Sequence, residues 1–456
     1  MTHAANRMAL TEWCAALYVC SILLFSFRGG LTIVTQACGF LFIAAFLYEV
    51  MFRAPRFAFS VPLPLGCFFA FMLYSFLSLI ETNESLSMIV TLLLLFVSSL
   101  FMVNLILHAG HVRYLTYGFV ASLLIATYQV WKELGGFTVK NGWDRISSFA
   151  GNANVFAIAL FIGIILCAEQ LANKETGGSR SLAFRAVSKS LYLLLILLFA
   201  YEILFLAGSR KAMIGLFLFG FFYFLRMLVK VKFLAKFAIL AAGAGVLAGL
   251  YAMMRQSVFF ERFSRALDML TGSNVVEGSL NERADMIGTG LALWERKPWF
   301  GWGTDQFRYL SGYQTYSHNN YVELLSNNGL VGLILYYSMM VTLLGAGLRL
   351  LLGGNDRQKH YGWLNVSVVL ILIFWDFALV SYYSKLQWFT LSVLIGLTYH
   401  AYRLPGTDRE PAAAKQRKKE TERHANQADA LDPDHERGRS ATGAGQSLAF
   451  VRPRAD

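Results

Sequence analysis

Long, nearly unbroken runs of apolar residues dominate this chain, and short polar connections separate them. Many of these runs reach the roughly 20 residues that an α-helix needs to cross the hydrocarbon core of a bilayer. The pattern therefore predicts an all-α polytopic membrane protein with about twelve transmembrane helices. The predicted spans are Trp13–Phe27, Leu31–Phe52, Phe59–Ile80, Leu86–Leu107, Val112–Trp131, Asn154–Ala172, Leu191–Ala207, Ala212–Val229, Phe233–Met253, Gly329–Leu350, Gly362–Tyr382 and Leu386–Tyr402.

The composition agrees with a surface that faces lipid. Hydrophobic residues make up 56% of the 456 residues and charged residues 15%, whereas about 25% of a soluble domain is charged. All five cysteines lie in predicted spans, which excludes a disulfide framework in the exposed parts and a thiolate metal site. Arg7 precedes the first span, but no small-residue cleavage site follows it, so we predict an uncleaved anchor rather than a signal peptide.

The orientation is predicted from Lys and Arg in the short connections, because cytoplasmic loops carry an excess of these residues. Alternate connections form a cation-rich set and a sparse set, and the sparse set holds little more than Arg28 and Lys385. Both termini are therefore predicted to be cytoplasmic. The rich set contains Arg53, Arg56, Arg113, Lys174, Arg180, Arg185, Lys189, Lys230, Lys232, Arg357 and Lys359.

Three outward segments carry cations against this bias. They are the connection around Lys140 and Arg145, the turn Gly208–Lys211 and the long loop 254–328. Long loops are translocated largely regardless of their charge, so the last segment does not contradict the orientation. We interpret the outward cations, which contribute to the net charge of +12, as an indication of an anionic ligand on that side.

We divide the chain into four parts. Residues 1–253 hold the first nine transmembrane helices, residues 254–328 form an outward catalytic loop, and residues 329–405 hold the last three helices. Residues 406–456 are polar and lack an apolar period, which predicts a disordered cytoplasmic tail. The basic cluster Lys415–Lys419 in this tail could touch anionic lipid headgroups, although a solvated charge run is the alternative interpretation.

The loop 254–328 is predicted to be folded, because loops of this length inside a protein are usually functional. Apolar residues recur at helical spacing in Phe263–Leu270 and in Ala284–Trp294, and Asn281 is a candidate N-cap for the second helix. Trp299–Phe307 predicts a turn broken by glycines. Its aromatic rings could stack on sugars or anchor the loop at the headgroup level. From Ser317 onward an amphipathic helix leads into the next span.

His318 is the histidine of this loop and precedes the amphipathic helix. An imidazole titrates near neutral pH and can accept the proton of an attacking hydroxyl. Histidine at this position therefore predicts a general base. The alternative interpretation is a histidine that satisfies a helix end at the membrane interface.

Arg210 and Arg283 predict a different kind of contact. A guanidinium group is permanently charged, and its fork matches two phosphate oxygens, which suits a diphosphate. The alternatives are a cation that extends from a helix end to the interface for Arg210 and a solvated loop charge for Arg283. The outer loops contain no convincing cluster of carboxylates, cysteines or histidines, so we expect no metal and assign the positive charge to arginine.

The sequence resembles the superfamily of O-antigen ligases and Wzy-type polymerases of the bacterial envelope. The first motif is similar to the family's R…W…P…G-x-G…F stretch and comprises Asn281-Glu282-Arg283, Trp294, Pro298, Gly301-Trp302-Gly303 and Phe307. The second motif is similar to the family's H-N-x-Y…E…G…G signature and comprises His318-Asn319-Asn320-Tyr321, Glu323, Leu324, Gly329 and Gly332. Ser209-Arg210-Lys211 resembles the family's S-R turn. Arg145, Gly151, Asn152 and Asn154 resemble an Asn-rich patch, with Ala153 where proline is common.

The resemblance implies a metal-independent, cofactor-free glycosyltransferase of the type C kind in the bacterial inner membrane, with a periplasmic active site. The donor would be a glycan on undecaprenyl diphosphate, and the acceptor a sugar hydroxyl of lipid A–core. Arg210 and Arg283 would hold the diphosphate, and His318 would act as the base. Membrane lipids are further expected partners, and a nucleic acid is not. Candidate substrate contacts are Lys211, Arg145, Arg265, Asn319, Asn320 and Tyr321.

Three alternatives remain open at the level of sequence. An O-antigen polymerase or a protein O-oligosaccharyltransferase would share the fold and the chemistry but use another acceptor. A transporter or flippase would instead place ionisable groups on broken helices at mid-membrane. No convincing internal repeat supports a transporter, but Asp376 is an intramembrane charge for which the sequence suggests no role.

Overall fold

The computed structural model describes residues 8–27, 30–53, 57–77, 85–134, 151–172, 182–233 and 278–404, with 236, 237, 243 and 245 between the last two ranges. The regular structure of these residues is helical, as the apolar pattern predicts. The helices are α1 (Ala9–Phe25), α2 (Thr32–Phe52), α3 (Leu63–Leu77), α4 (Leu86–Ala109), α5 (Arg113–Leu134), α6 (Ala153–Ala172), α7 (Leu182–Tyr201), α8 (Arg210–Lys230), α9 (Gly278–Arg296), α10 (Phe307–Leu310), α11 (Asn320–Gly353), α12 (Asp356–Trp375) and α13 (Lys385–Arg403).

Six helical stretches in the described part of the chain are long and apolar enough to cross a membrane. They are Thr32–Phe52, Leu86–Ala109, Ala153–Ala172, Ala183–Ala207, Arg210–Val229 and Asn320–Gly353. The helices Ala9–Phe25 and Leu63–Leu77 are apolar but shorter. The chain is thus a helical polytopic membrane protein, and the number of twelve crossings stays a prediction.

Several sequence predictions fall outside the described residues. These are most of the span Phe233–Met253, the helix Phe263–Leu270, the tail 406–456 and the candidate contacts Arg145 and Arg265. The prediction that Asn281 caps a helix is wrong, because α9 begins three residues earlier, at Gly278. Asn281 lies within its first turn.

Buried side chains tie the transmembrane helices together. Phe68 of α3 stacks on Trp388 of α13 with ring centroids 3.4 Å apart, and Phe161 of α6 packs edge-on against Trp375 of α12 at 5.0 Å. Nearer the other ends of α6 and α12, Glu169 and His360 are 2.8 Å apart. Between helices in a bilayer such ring contacts contribute van der Waals packing, which is a main source of helix association there.

A kink divides α11 into two parts at Gly329, whose φ is 65° and ψ −169°. The break frees backbone carbonyls of the preceding turn. Trp302 N donates to Ser326 O at 3.0 Å and Gly303 N to Asn327 O at 2.7 Å. Returning bonds run from Leu330 N to Pro298 O at 2.9 Å and from Val331 N to Trp299 O at 3.2 Å. The predicted aromatic turn therefore forms hydrogen bonds on both sides of the kink, and we call this arrangement the clasp. The helix from 320 to 328 leads into the span that the apolar pattern begins at Gly329.

The connector 376–384 between α12 and α13 crosses the start of α11. Asn320 N donates to Asp376 O at 2.8 Å, and the buried Asn320 side chain accepts from Ser381 N at 2.9 Å and Tyr382 N at 3.2 Å. Asp376 accepts hydrogen bonds from Ser381 Oγ at 2.6 Å and Tyr337 OH at 2.8 Å. The charge that the sequence left unexplained thus holds the connector against α11.

Candidate active site

The backbone on both sides of His318 is fixed by hydrogen bonds. The Asn319 side chain caps α11 by accepting from Tyr321 N at 3.0 Å and Val322 N at 3.2 Å. Ser317 N donates to the buried carboxylate of Glu323 at 2.7 Å, and Ser317 Oγ donates to Asn319 O at 2.8 Å. Between these anchors His318 adopts a φ of 59°, a left-handed conformation that is uncommon for a residue other than glycine. Such strain persists where the surroundings hold it, typically at functional sites.

The His318 ring is half-buried and faces positive charge. It packs edge-on against Tyr316 with ring centroids 4.5 Å apart. Burial, together with the charges of Arg283 and Lys211, lowers the pKa of His318 to about 4. The imidazole is therefore neutral at physiological pH and has a lone pair that can accept a proton.

Arg283 reaches this site from α9. Burial raises the pKa of Tyr316, and the charge of Arg283 opposes that rise. The charge of the Arg283 guanidinium thus lowers the pKa of both Tyr316 and His318. The second half of α9 packs on the first part of α11, where a Cβ at Gly290 would lie 2.3 Å from the Val322 side chain. This close approach fixes the helix that carries Arg283 beside the start of α11.

Lys211 reaches the site from the start of α8, and Arg210 precedes it in the chain. Gly208, with a φ of 55°, ends the preceding π-helical turn, and Ser209 is the N-cap of α8. The Lys211 ammonium donates to Ala378 O in the connector, and Lys211 O accepts from Trp375 Nε1 at 2.8 Å. Arg210 is half-buried in the first turn of α8, next to Lys211. The charges of Lys211 and Arg283 thus act on the His318 ring, and Arg210 is the neighbour of Lys211 in the chain.

The Asn-rich patch at 151–154 joins the same turn. Ser209 Oγ donates to Asn154 Oδ1 at 3.0 Å, and Asn154 N donates to Asn152 Oδ1 at 2.8 Å. The start of α6 therefore supports the turn that carries Arg210 and Lys211. Two motifs that lie more than fifty residues apart in the chain are neighbours in the fold.

The three residues after His318 have partners within the protein. Asn319 Nδ2 donates to Phe377 O at 3.2 Å, in addition to the capping role of its oxygen. Asn320 is fully buried among connector groups, and Tyr321 OH donates to Ile373 O at 2.9 Å. These contacts give the three residues an architectural role, and their contact with a substrate stays a prediction.

Two residues to which the sequence analysis assigned no role organise the site. Glu323 holds Ser317, and Asp376 holds the connector whose carbonyls meet Lys211 and Asn319. Glu323 stood in the family signature, and its distance of five positions from His318 was the available signal. Among the described residues, no three His, Cys, Asp or Glu side chains form a set of metal ligands, and metal independence stays a prediction.

Residues 191–337 match the family model described as O-antigen ligase. A comparison with curated proteins found no match. The matched segment includes Arg210, Lys211, Arg283 and His318, so it covers the side chains that the structure gathers at the start of α8, on α9 and before α11. The match confirms the resemblance seen in the motifs, and over residues 191–337 this chain is similar to the O-antigen ligase family.

Proposed function

We propose that this protein transfers a polysaccharide from undecaprenyl diphosphate to a sugar hydroxyl of lipid A–core on the periplasmic side of the inner membrane. The observation that carries the proposal is a neutral, positioned His318 beside the cations Arg283 and Lys211. A lipid-linked glycan agrees with the O-antigen ligase match. Cations gathered against the general charge bias suit the diphosphate of such a donor.

The reaction needs one base and one site for a leaving anion. The acceptor oxygen attacks the anomeric carbon of the donor, the bond from that carbon to the diphosphate oxygen breaks, and the acceptor proton passes to His318. Arg210 and Arg283 hold the diphosphate and stabilise the charge that develops on it. His318 releases the acceptor proton to water when the diphosphate leaves. The products are the glycosylated acceptor, undecaprenyl diphosphate and one proton, so atoms and charge balance without a cofactor.

The low pKa of free His318 fits an ordered reaction. Burial lowers this pKa most, and Arg283 and Lys211 lower it further by repelling the imidazolium form. A donor diphosphate held between the cations offsets their charge and raises the pKa again. The base is therefore strongest when the donor is in place, which links proton transfer to donor binding.

The proposal is tested by transfer with purified protein, lipid-linked glycan and lipid A–core, with and without a chelator. Full activity with the chelator is expected. His318→Ala should reduce turnover by about 10²–10⁴-fold, because base catalysis typically contributes that much. Arg283→Lys should also impair transfer, because an ammonium cannot form the two parallel bonds of guanidinium.

Two controls separate the roles. His318→Gln retains hydrogen bonding but accepts no proton, so near-normal turnover in this variant would show that His318 only orients the acceptor. Donor binding by His318→Ala should persist, and its loss would contradict the assignment as a base. A second lipid-linked glycan offered as acceptor tests the polymerase alternative, which requires that this acceptor be extended in place of lipid A–core.

A further inference from the structure

An open groove lies between α1, α2, α4 and α13, apart from the residues assigned to the reaction. Its walls are mainly apolar, with Phe40, Ile43 and Leu94 among them. Phe40 is 61% exposed, on a helix that is long and apolar enough to span the membrane. The groove thus presents an apolar wall that suits a lipid chain.

One cation lines this groove. Lys385, the first residue of α13, is half-buried, and its Nζ donates to Ser26 Oγ at 3.3 Å. Ser26 Oγ in turn donates to Thr35 Oγ1 at 3.2 Å, and Thr35 Oγ1 donates to Ser21 O at 3.1 Å. No carboxylate among the described residues forms a salt bridge with Lys385. An ammonium has three donors, so two are left for an anionic ligand. The Gln36 amide, also on the groove wall, adds an exposed polar group near the same end of α2.

The groove is connected to the candidate active site by the connector 376–384. One end of this connector contacts Lys211 through Ala378 O and Asn320 through Asp376 O. The other end leads directly into Lys385. The groove therefore lies at the same end of the helical assembly as His318. In the proposed reaction two lipid-linked substrates must reach this end, and the cations around His318 are assigned to one of them.

We propose that this groove binds the phosphorylated lipid end of the acceptor, with Lys385 contacting a phosphate and the apolar wall of α2 and α4 contacting an acyl chain. This inference rests on the proposed function. It assigns the donor and the acceptor to two separate cationic sites, one on each side of the connector.

Photocrosslinking in the full-length protein tests this site independently of catalysis. Phe40→p-benzoylphenylalanine places a photoreactive group on the groove wall, and the probe is purified lipid A–core in phosphatidylethanolamine vesicles. We expect capture of the acceptor to fall about tenfold or more when its phosphates are removed or when Lys385→Ala is combined with the probe residue, because a charge-assisted hydrogen bond is lost. Lys385→Arg should restore capture, and Lys132→Ala, which removes a cation from the end of α5, should leave it unchanged.

Kinetics add a second readout. Lys385→Ala should raise the KM for the acceptor by a similar factor and leave the KM for the donor unchanged. Equal capture of phosphorylated and dephosphorylated acceptor by the Phe40→p-benzoylphenylalanine protein with Lys385 intact would overturn the inference, even if the Lys385 variants fail to fold. Equal capture of phosphatidylglycerol that the acceptor cannot displace would also overturn it. Phosphate-dependent capture without any glycan transfer would instead contradict the proposed function and leave this site standing.

Discussion

His318 is positioned by its neighbours along the chain. Ser317 and Asn319 are both bonded to the first turns of α11, and the residue between them is held at a φ of 59°. The sequence identified His318 from residue type and motif. It could not show the left-handed backbone or the nearby charges, because both depend on contacts with α8, α9 and Glu323. Sequence thus predicted the chemical group, and tertiary contacts determine its protonation.

The pH dependence of transfer is the residue-scale prediction. Because the pKa of His318 in the free protein is lowered to about 4, the neutral form that acts as base is lost only as pH falls through about 4. The diphosphate of a bound donor raises this pKa. The acid limb of kcat reports the complex with donor bound, and the acid limb of kcat/KM for the donor reports the free protein. The limb of kcat should therefore lie at higher pH than the limb of kcat/KM for the donor.

Steady-state kinetics of the purified protein from below pH 4 up to pH 8 would measure both limbs, and thermal unfolding at each pH controls for loss of the fold. Coincident limbs would contradict an effect of the donor on His318. An acid limb of kcat/KM near the ordinary histidine value would contradict the lowered pKa.

At the scale of elements, the clasp between the aromatic turn and the kink of α11 governs how the site is held. Apolar runs predicted most helices to within a few residues, because crossing a bilayer requires a long apolar segment whatever its packing. The sequence also predicted that a helix after His318 leads into the next span, but it did not predict the kink at Gly329 or the bonds from the Gly301-Trp302-Gly303 turn to that kink. Those features need backbone contacts between segments about twenty-five residues apart.

Gly301→Ala and Gly329→Ala should both disrupt this clasp. Gly301 and Gly329 have φ values of 70° and 65°, which cost an alanine about 1–3 kcal/mol. A Cβ at Gly301 would also lie 2.4 Å from Asn327 O, and one at Gly329 2.3 Å from Trp299 O. Each variant should unfold at lower temperature in detergent and lose transfer activity.

Gly345→Ala is the matched control in α11. A Cβ at Gly345 meets no atom within 4 Å, and alanine favours a helix interior by about 0.5–1 kcal/mol over glycine. This variant should be as stable as the natural protein or slightly more so. Equal stability and activity in all three variants would show that the clasp has no part in holding the site.

At the scale of the whole molecule, the sequence predicted the helical membrane class of the fold, because it follows from composition along the chain. The side of the membrane on which the cations gather stays a prediction. The sequence did not predict the network of Asp376, Asn320 and Tyr337 that joins α11 to the connector. Its members are separated by up to 56 positions, and no local pattern relates them. The sequence also did not predict the groove beside Lys385, because its walls come from four helices that are brought together only by the fold.

The orientation of the molecule is the last prediction, and it follows from the positive charges of the short connections. Asp285 lies on α9, on the predicted periplasmic side, and Asp356 begins α12 at the far end of α11, on the predicted cytoplasmic side. Both side chains are exposed. An impermeant maleimide should label Asp285→Cys in intact spheroplasts and Asp356→Cys only after lysis.

The natural protein provides the background, since Cys14 and Cys167 are buried and Cys20, Cys38 and Cys67 half-buried. Labelling of Asp285→Cys only after lysis would place His318 and its cations in the cytoplasm, where lipid-linked polysaccharide is not presented in the proposed reaction, and would refute the orientation and the proposed function together.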